Sequence, residues 1–208
     1  MNNFKPLLIV FLLFPSFGLS AQNNCFENCW ENFDSIARNV PIAERFKAQY
    51  WMLQSLVGCY MPAFSVETID GKPVSPAVLK GKIVVMNFWF ESCPPCRNDL
   101  PGLNHLVDYF KNEDVVFIAF GRDRKESIEA FLSKEPFHYL HVADCFNNGI
   151  LDQFCAIGGF PANMVFDKEG RLVFLAAGGS LDEAFKDEKF DQLKPIIESL
   201  LTADYGKN

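Results

Sequence analysis

Ile83-Val84-Val85-Met86-Asn87-Phe88-Trp89-Phe90-Glu91-Ser92-Cys93-Pro94-Pro95-Cys96 is the stretch whose reading decides the fold. Its first eight residues form an almost unbroken apolar run, the pattern of a strand buried on both faces. Downstream, Leu100, Leu103, Leu106, Val107 and Phe110 recur at three- and four-residue spacing, which is the period of a helix. A C-x-x-C therefore sits where a buried strand gives way to a helix. Two thiols at that spacing can close a small disulfide. The helix start favours a negative sulfur, because unpaired N–H groups and the helix dipole point at it. That arrangement suits thiol–disulfide exchange. Half of a zinc site would need a second Cys/His pair at ligand spacing. His138-Tyr139-Leu140-His141 is the only close His pair, and it reads as one face of a strand. Neither a metal nor another cofactor is expected.

The 208 residues suggest one domain with added material. An apolar content of 49%, with 22 phenylalanines, is enough for a real core. The net charge of −7 argues against nucleic acid or an anionic membrane surface as a partner.

Residues 1–21 read as a secretory signal. Lys5 is the only charge before Glu27, Leu7 to Leu19 is mostly apolar, and Gly18, Ser20 and Ala21 offer a cleavage point after Ala21. The segment is shorter than the ~20 apolar residues of a membrane span and carries Pro15, so no stable span is expected once it is removed. Export into an oxidising compartment follows, a bacterial periplasm being the expected one. Cys25, Cys29, Cys59, Cys145 and Cys155 remain besides the C-x-x-C pair. The odd total leaves at least one of the seven free or paired with another molecule. A bridge from Cys25 or Cys29 to Cys59 is expected, whereas for Cys145 and Cys155 a disulfide is weighed against a buried pair of free thiols.

Residues 22–60 form a helical extension. Pro41 can open a helix whose apolar face is Phe46, Tyr50, Leu53 and Val57, with Gly58 ending it. From residue 61 to 204 the pattern is that of a compact α/β domain. Phe64 to Ile69 alternates as a half-buried strand, Asp70-Gly71 signals a hairpin, and Lys72-Pro73-Val74 returns. Strands follow at 83–90, 115–120, 139–142, 164–166 and 172–175, with helices at 125–132 and 150–154. Ser180-x-x-Glu183 predicts a capping box for a last helix, which Pro195 should break in two. The order is β-hairpin, βαβα, then ββα. It implies a central mixed sheet with an antiparallel hairpin added late.

Gly81-Lys82-Ile83-Val84-Val85-Met86-Asn87-Phe88-Trp89, Cys93-Pro94-Pro95-Cys96-Arg97 and Leu100-Pro101 together resemble the TlpA/ResA-like group of the thioredoxin superfamily. Gly58-x-x-x-Pro62-x-Phe64 resembles the same group's entry segment. Phe160-Pro161, followed by Met164-Val165-Phe166-Asp167-x-x-Gly170, resembles its proline loop and late hairpin. The resemblance spans residues 58–201. It implies a thioredoxin-like fold with helices on both sheet faces, acting on protein disulfides or dithiols and fed by an upstream electron donor. Ser92 stands where many members carry Trp, which removes an aromatic shield beside Cys93. Asn87 stands where thioredoxins carry a buried Asp, and Asn cannot take a proton.

In such a cycle Cys93, partly exposed at the helix start with Arg97 nearby, is the expected nucleophile. Cys96 resolves the mixed disulfide. Asp99, matching a carboxylate often found in ResA-like proteins, or Glu91, would accept the Cys96 proton. Phe160 and Pro161, the latter resembling the superfamily's cis-proline, are expected to meet substrate together with Trp89, Pro94 and Pro95. Two other functions compete. A thiol peroxidase of the peroxiredoxin type would need Pro at position 86 and Thr or Ser at 90, where Met86 and Phe90 stand. A non-catalytic thioredoxin-fold binding module would keep the C-x-x-C as a structural bridge.

Overall fold

The computed structural model describes residues 25–27, 29–156 and 159–203, without the side chain of residue 30. The expected signal at 1–21 therefore lies outside the described residues. Two helices open the described chain, α1 (Cys29–Asn39) and α2 (Ile42–Gln54). A two-stranded hairpin follows, β1 (Val66–Glu67) and β2 (Pro73–Val74), then the short α3 (Pro76–Leu79). The centre of the chain is β3 (Ile83–Trp89), α4 (Pro94–Tyr109), β4 (Val115–Gly121), α5 (Lys125–Leu132) and β5 (Leu140–Val142). After α6 (Ile150–Gln153) come β6 (Ala162–Phe166), β7 (Leu172–Ala177) and α7 (Glu188–Thr202).

Strands β3 to β7 form one sheet in the order β5-β4-β3-β6-β7. β3 pairs parallel with β4 and antiparallel with β6, so the sheet is mixed, as expected. Alternation along β3 sorts its side chains to two faces. Val84, Met86 and Phe88 join a core with α2, α6 and the hairpin, whereas Ile83, Val85 and Trp89 join a second core with α4, α5 and α7. The first core is built on phenylalanine: Phe88 stacks on Phe120 at 5.1 Å, and Phe64 meets Phe154 edge-on at 5.2 Å.

The extension is knitted into this body. Gly58 N–H donates to Leu172 O at 2.7 Å, and Leu172 N–H donates to Cys59 O at 2.8 Å. Cys25 is bonded to Cys59, and Cys29 to Cys155. The expected bridge to Cys59 is thus made by Cys25. A Cys145–Cys155 bridge is not made: Cys155 is taken by Cys29, and Cys145 is a buried free thiol. Closing a chain separation of 34 residues restricts the unfolded state. The double variant Cys25→Ser/Cys59→Ser is expected to lose about 2–4 kcal/mol in denaturant unfolding.

Three local expectations are corrected. α7 runs unbroken through Pro195. Pro195 and Asp191, whose carbonyl loses its partner, both lie on the exposed side, where water can satisfy that carbonyl. The Ser180–Glu183 capping box does not form. Asp182 accepts the Ala184 N–H at 2.9 Å and starts a 3-10 turn at Glu183–Phe185 instead. The apolar face of α2 is only partly used: Leu53 is buried, but Phe46 is 82% and Tyr50 50% exposed.

Candidate functional site

β3 ends at Trp89, and the chain turns once before α4 begins. Pro94 and Pro95 occupy the first helical positions, where their fixed φ fits and their missing N–H groups are not needed. That leaves Cys93 as the N-cap, and its Sγ accepts the Cys96 N–H at 3.2 Å. Cys93 and Cys96 are bonded, with Cα atoms 5.2 Å apart.

The expected exposure of Cys93 is absent: it and Cys96 each keep 2% of their surface. Phe90 and Phe160, ring to ring at 5.3 Å, pack against the buried cluster that contains both sulfurs. Ser92 and Pro94, the neighbours of Cys93, are exposed, so the way to the sulfur runs past them. The expected help from Arg97 is also corrected. Its guanidinium forms a two-point ion pair with Glu135 and turns toward Phe131, so its charge is spent outside the site.

Asp99 lies one helical turn beyond Cys96, on the same face of α4. It is 1% exposed, and neither of its carboxylate oxygens has a hydrogen-bond partner. Burial raises its pKa to about 7, against the opposing charge of Lys189 and with a smaller push from Glu188, both on α7. Gly179 closes the other side. A Cβ there would stand 3.2 Å from Pro161 Cγ and 3.3 Å from Asp99 Oδ2. Hence the C-x-x-C helix, the proline loop and the carboxylate meet at one point. Glu91, the other candidate acceptor, sits half-exposed on a surface groove with Ser92 and Arg97; its backbone N–H is held by Asp123 at 2.7 Å. Asn87 donates to Asn163 Oδ1 at 2.9 Å across β3 and β6, a buried structural pair.

The Phe160–Pro161 peptide bond is cis. Phe160 is half-buried, and its partner ring Phe90 lies 4.2 Å beneath the exposed Arg122 guanidinium. Pro94 is exposed and Pro95 half-buried at the same rim. Trp89 is corrected as a substrate contact. It has no exposed surface, being packed among Phe131, Phe137 and His141.

Lys189, Gly179 and Arg122 escaped the sequence reading. The Gly178-Gly179 pair was a visible signal of close backbone approach. Lys189 gave none, because a lysine that opens a helix is ordinarily a solvated one.

A family model described as the AhpC/TSA family matches residues 57–175. The thiol-disulfide oxidoreductase ResA of Bacillus thuringiensis is 30% identical over 141 residues, covering 67% of this chain and 78% of its own length. ResA of Bacillus subtilis is 26% identical over 139 residues, covering 66% and 76%. Among solved structures, the thioredoxin domain of a thiol-disulfide oxidoreductase from Bacteroides vulgatus matches with a TM-score of 0.57 at 24% identity. That match covers 68% of this chain and 97% of that one.

Proposed function

The chain belongs to the AhpC/TSA family and is a ResA-like thiol–disulfide oxidoreductase of the thioredoxin superfamily, and from that premise we propose that it is an exported reductant of protein disulfides working through Cys93 and Cys96. The observation that carries the reading is the buried Cys93–Cys96 pair with an unpartnered buried carboxylate one turn behind it.

Direction is argued from what stabilises the Cys93 thiolate. A strongly stabilised thiolate favours the reduced protein and makes an oxidant. Here the stabilisers are few. Pro94 and Pro95 remove two N–H donors from the helix start, and Arg97 is committed to Glu135. Burial of the sulfur opposes charge. The disulfide is therefore the favoured state, and the dithiol is a good electron donor. In the forward cycle the Cys93 thiolate attacks a client disulfide, and one client sulfur leaves as thiolate and takes a proton. Cys96 passes its proton to Asp99 and attacks Cys93 Sγ, which releases the second client thiol. The client gains two electrons and the C-x-x-C loses them. A dithiol donor must then restore Cys93 and Cys96. Three disulfides in one chain are at home in an oxidising compartment, which supports export.

Equilibration against a thiol–disulfide buffer measures the Cys93–Cys96 potential. The expected value lies below about −220 mV, in the range of reducing members of this superfamily. A value near about −120 mV would make the protein an oxidant and reverse the proposed direction.

A further inference from the structure

A groove of about 390 Å³ runs between α2 and β7, the outermost strand of the sheet. One wall is the apolar stripe of α2, Phe46, Tyr50 and Leu53 at helical spacing on one face, continued by Val57 in the turn that follows. The fold buries only Leu53 of these, while Phe46 and Tyr50 overhang the groove, 82% and 50% exposed. The other wall is Val173 to Ala177 of β7. At Leu172 the strand edge is taken by the chain at 58–59, and Gln54 Nε2 donates to Leu175 O at 3.2 Å. The groove also contains an acceptor in want of a donor. Gln192 lines it, and its Oε1 is buried without a hydrogen-bond partner.

These features ask for an occupant with apolar side chains and free backbone N–H groups, which is an extended polypeptide. Its source is indicated by where the groove ends. Ala177, its last β7 residue, pairs with Ala162, and the next N–H, that of Gly178, donates to Pro161 O at 2.7 Å. Gly179 follows, where an added Cβ would stand 3.2 Å from Pro161 Cγ and 3.3 Å from Asp99 Oδ2. The groove thus ends one residue before Gly178, which is bonded to the proline loop of the site. We propose that it is an exosite for the client itself: it binds an extended, apolar segment on one side of the cysteine that Cys93 attacks. The segment beside Val173–Ala177 would be about five residues, some 17 Å at ~3.3 Å per residue. The substrate class is then an unfolded or loosely folded protein whose disulfide is flanked by an apolar stretch. This inference rests on the reductase reading above.

The test compares three disulfide peptides, with dithiothreitol as the electron source: one with a six-residue apolar arm before its cysteine, one with the arm after it, and one with a polar arm. The full chain and its Phe46→Asp and Tyr50→Asp variants are assayed; both side chains are exposed enough for the fold to survive. For the parent, one apolar-armed peptide should show a kcat/KM at least about tenfold above the polar-armed one, the scale of burying one large side chain. Both variants should erase that gap and leave the polar-armed rate unchanged. Equal rates for all peptides with the parent would overturn the exosite and leave the reductase reading standing. Turnover of none would overturn the reading, and the exosite with it. Equal rates together with a dimer that Phe46→Asp dissociates would assign the groove to a second copy of the chain instead.

Discussion

Cys93→Ser should abolish disulfide reduction, while Cys96→Ala should accumulate covalent complexes with client proteins. The asymmetry follows from where α4 places the two sulfurs. Cys93 is the N-cap, flanked by the exposed Ser92 and Pro94, and it accepts the Cys96 N–H. Cys96 lies inside the helix, on the face that carries Leu100 and Leu103 into the core. On the proposed mechanism the client sulfur therefore meets Cys93, whose neighbours are exposed, before Cys96. A serine hydroxyl supplies essentially no nucleophile for sulfur at neutral pH, so turnover should fall by more than about a thousandfold. Removing Cys96 leaves the first attack intact and deletes the second, so the mixed disulfide on Cys93 has no internal escape. Non-reducing electrophoresis followed by mass mapping would read the trapped species on Cys93. Complexes that form instead on Cys96 in a Cys93→Ala chain would invert the assignment.

Burial of the oxidised pair gives this prediction a second edge. With 2% of each cysteine exposed, the disulfide cannot be approached along an arbitrary direction. A reductant must come in over Ser92 and Pro94, beside the Phe90–Phe160 rings and Arg122. On the proposed mechanism, selectivity in both half-reactions is expected from that rim rather than from the sulfurs.

The strand–C-x-x-C–helix unit was legible in the sequence because its signals are local. An apolar run, two prolines that fit only a helix start, and a three-four repeat each point to the same local structure. The mixed sheet followed from the order of such elements. What escaped depends on distant residues. Nothing near Arg97 announces that Glu135, on another element, would consume its charge. Nothing near Cys155 announces Cys29, because disulfide pairing is decided by the folded chain rather than by spacing. The exposure of Cys93 was misjudged for the same reason: it is buried in a core assembled from distant elements, against which Phe160 of the proline loop also packs. Pro195 misled in the opposite sense. Its rule about hydrogen bonds is local, but whether the lost bond matters depends on which side of α7 faces water.

Asp99→Asn should make the protein more stable at pH 8 and a poorer reductase. The carboxyl ordinarily titrates at 3.8, but burial raises it to about 7 in the fold. Between those values the folded chain holds a proton that the unfolded chain has released, so stability is lost as pH rises through this window. Below 3.8 both states are protonated and Asp99 costs nothing on this account; above 7 the full penalty applies, about 4 kcal/mol at ~1.4 kcal/mol per unit. An asparagine cannot ionise and escapes it. The gain in unfolding free energy should therefore be negligible below pH 4, grow through pH 5 and 6, and level off above about 7. Catalysis should move the other way. An ionised Asp99 can take the Cys96 proton, so the parent's resolving step should accelerate as pH rises through about 7. The variant should resolve about a hundredfold more slowly at pH 7, with its rise displaced to higher pH, because the thiol must then ionise without an internal acceptor. Denaturant unfolding across pH, set beside stopped-flow release of client from the mixed disulfide, measures both. A variant destabilised at pH 8 would instead mean that Asp99 serves as the structural counter-charge of Lys189, and the proton-acceptor role would fall. Stability gained and rate lost at one buried carboxyl is the signature of a group kept for chemistry at the expense of the fold.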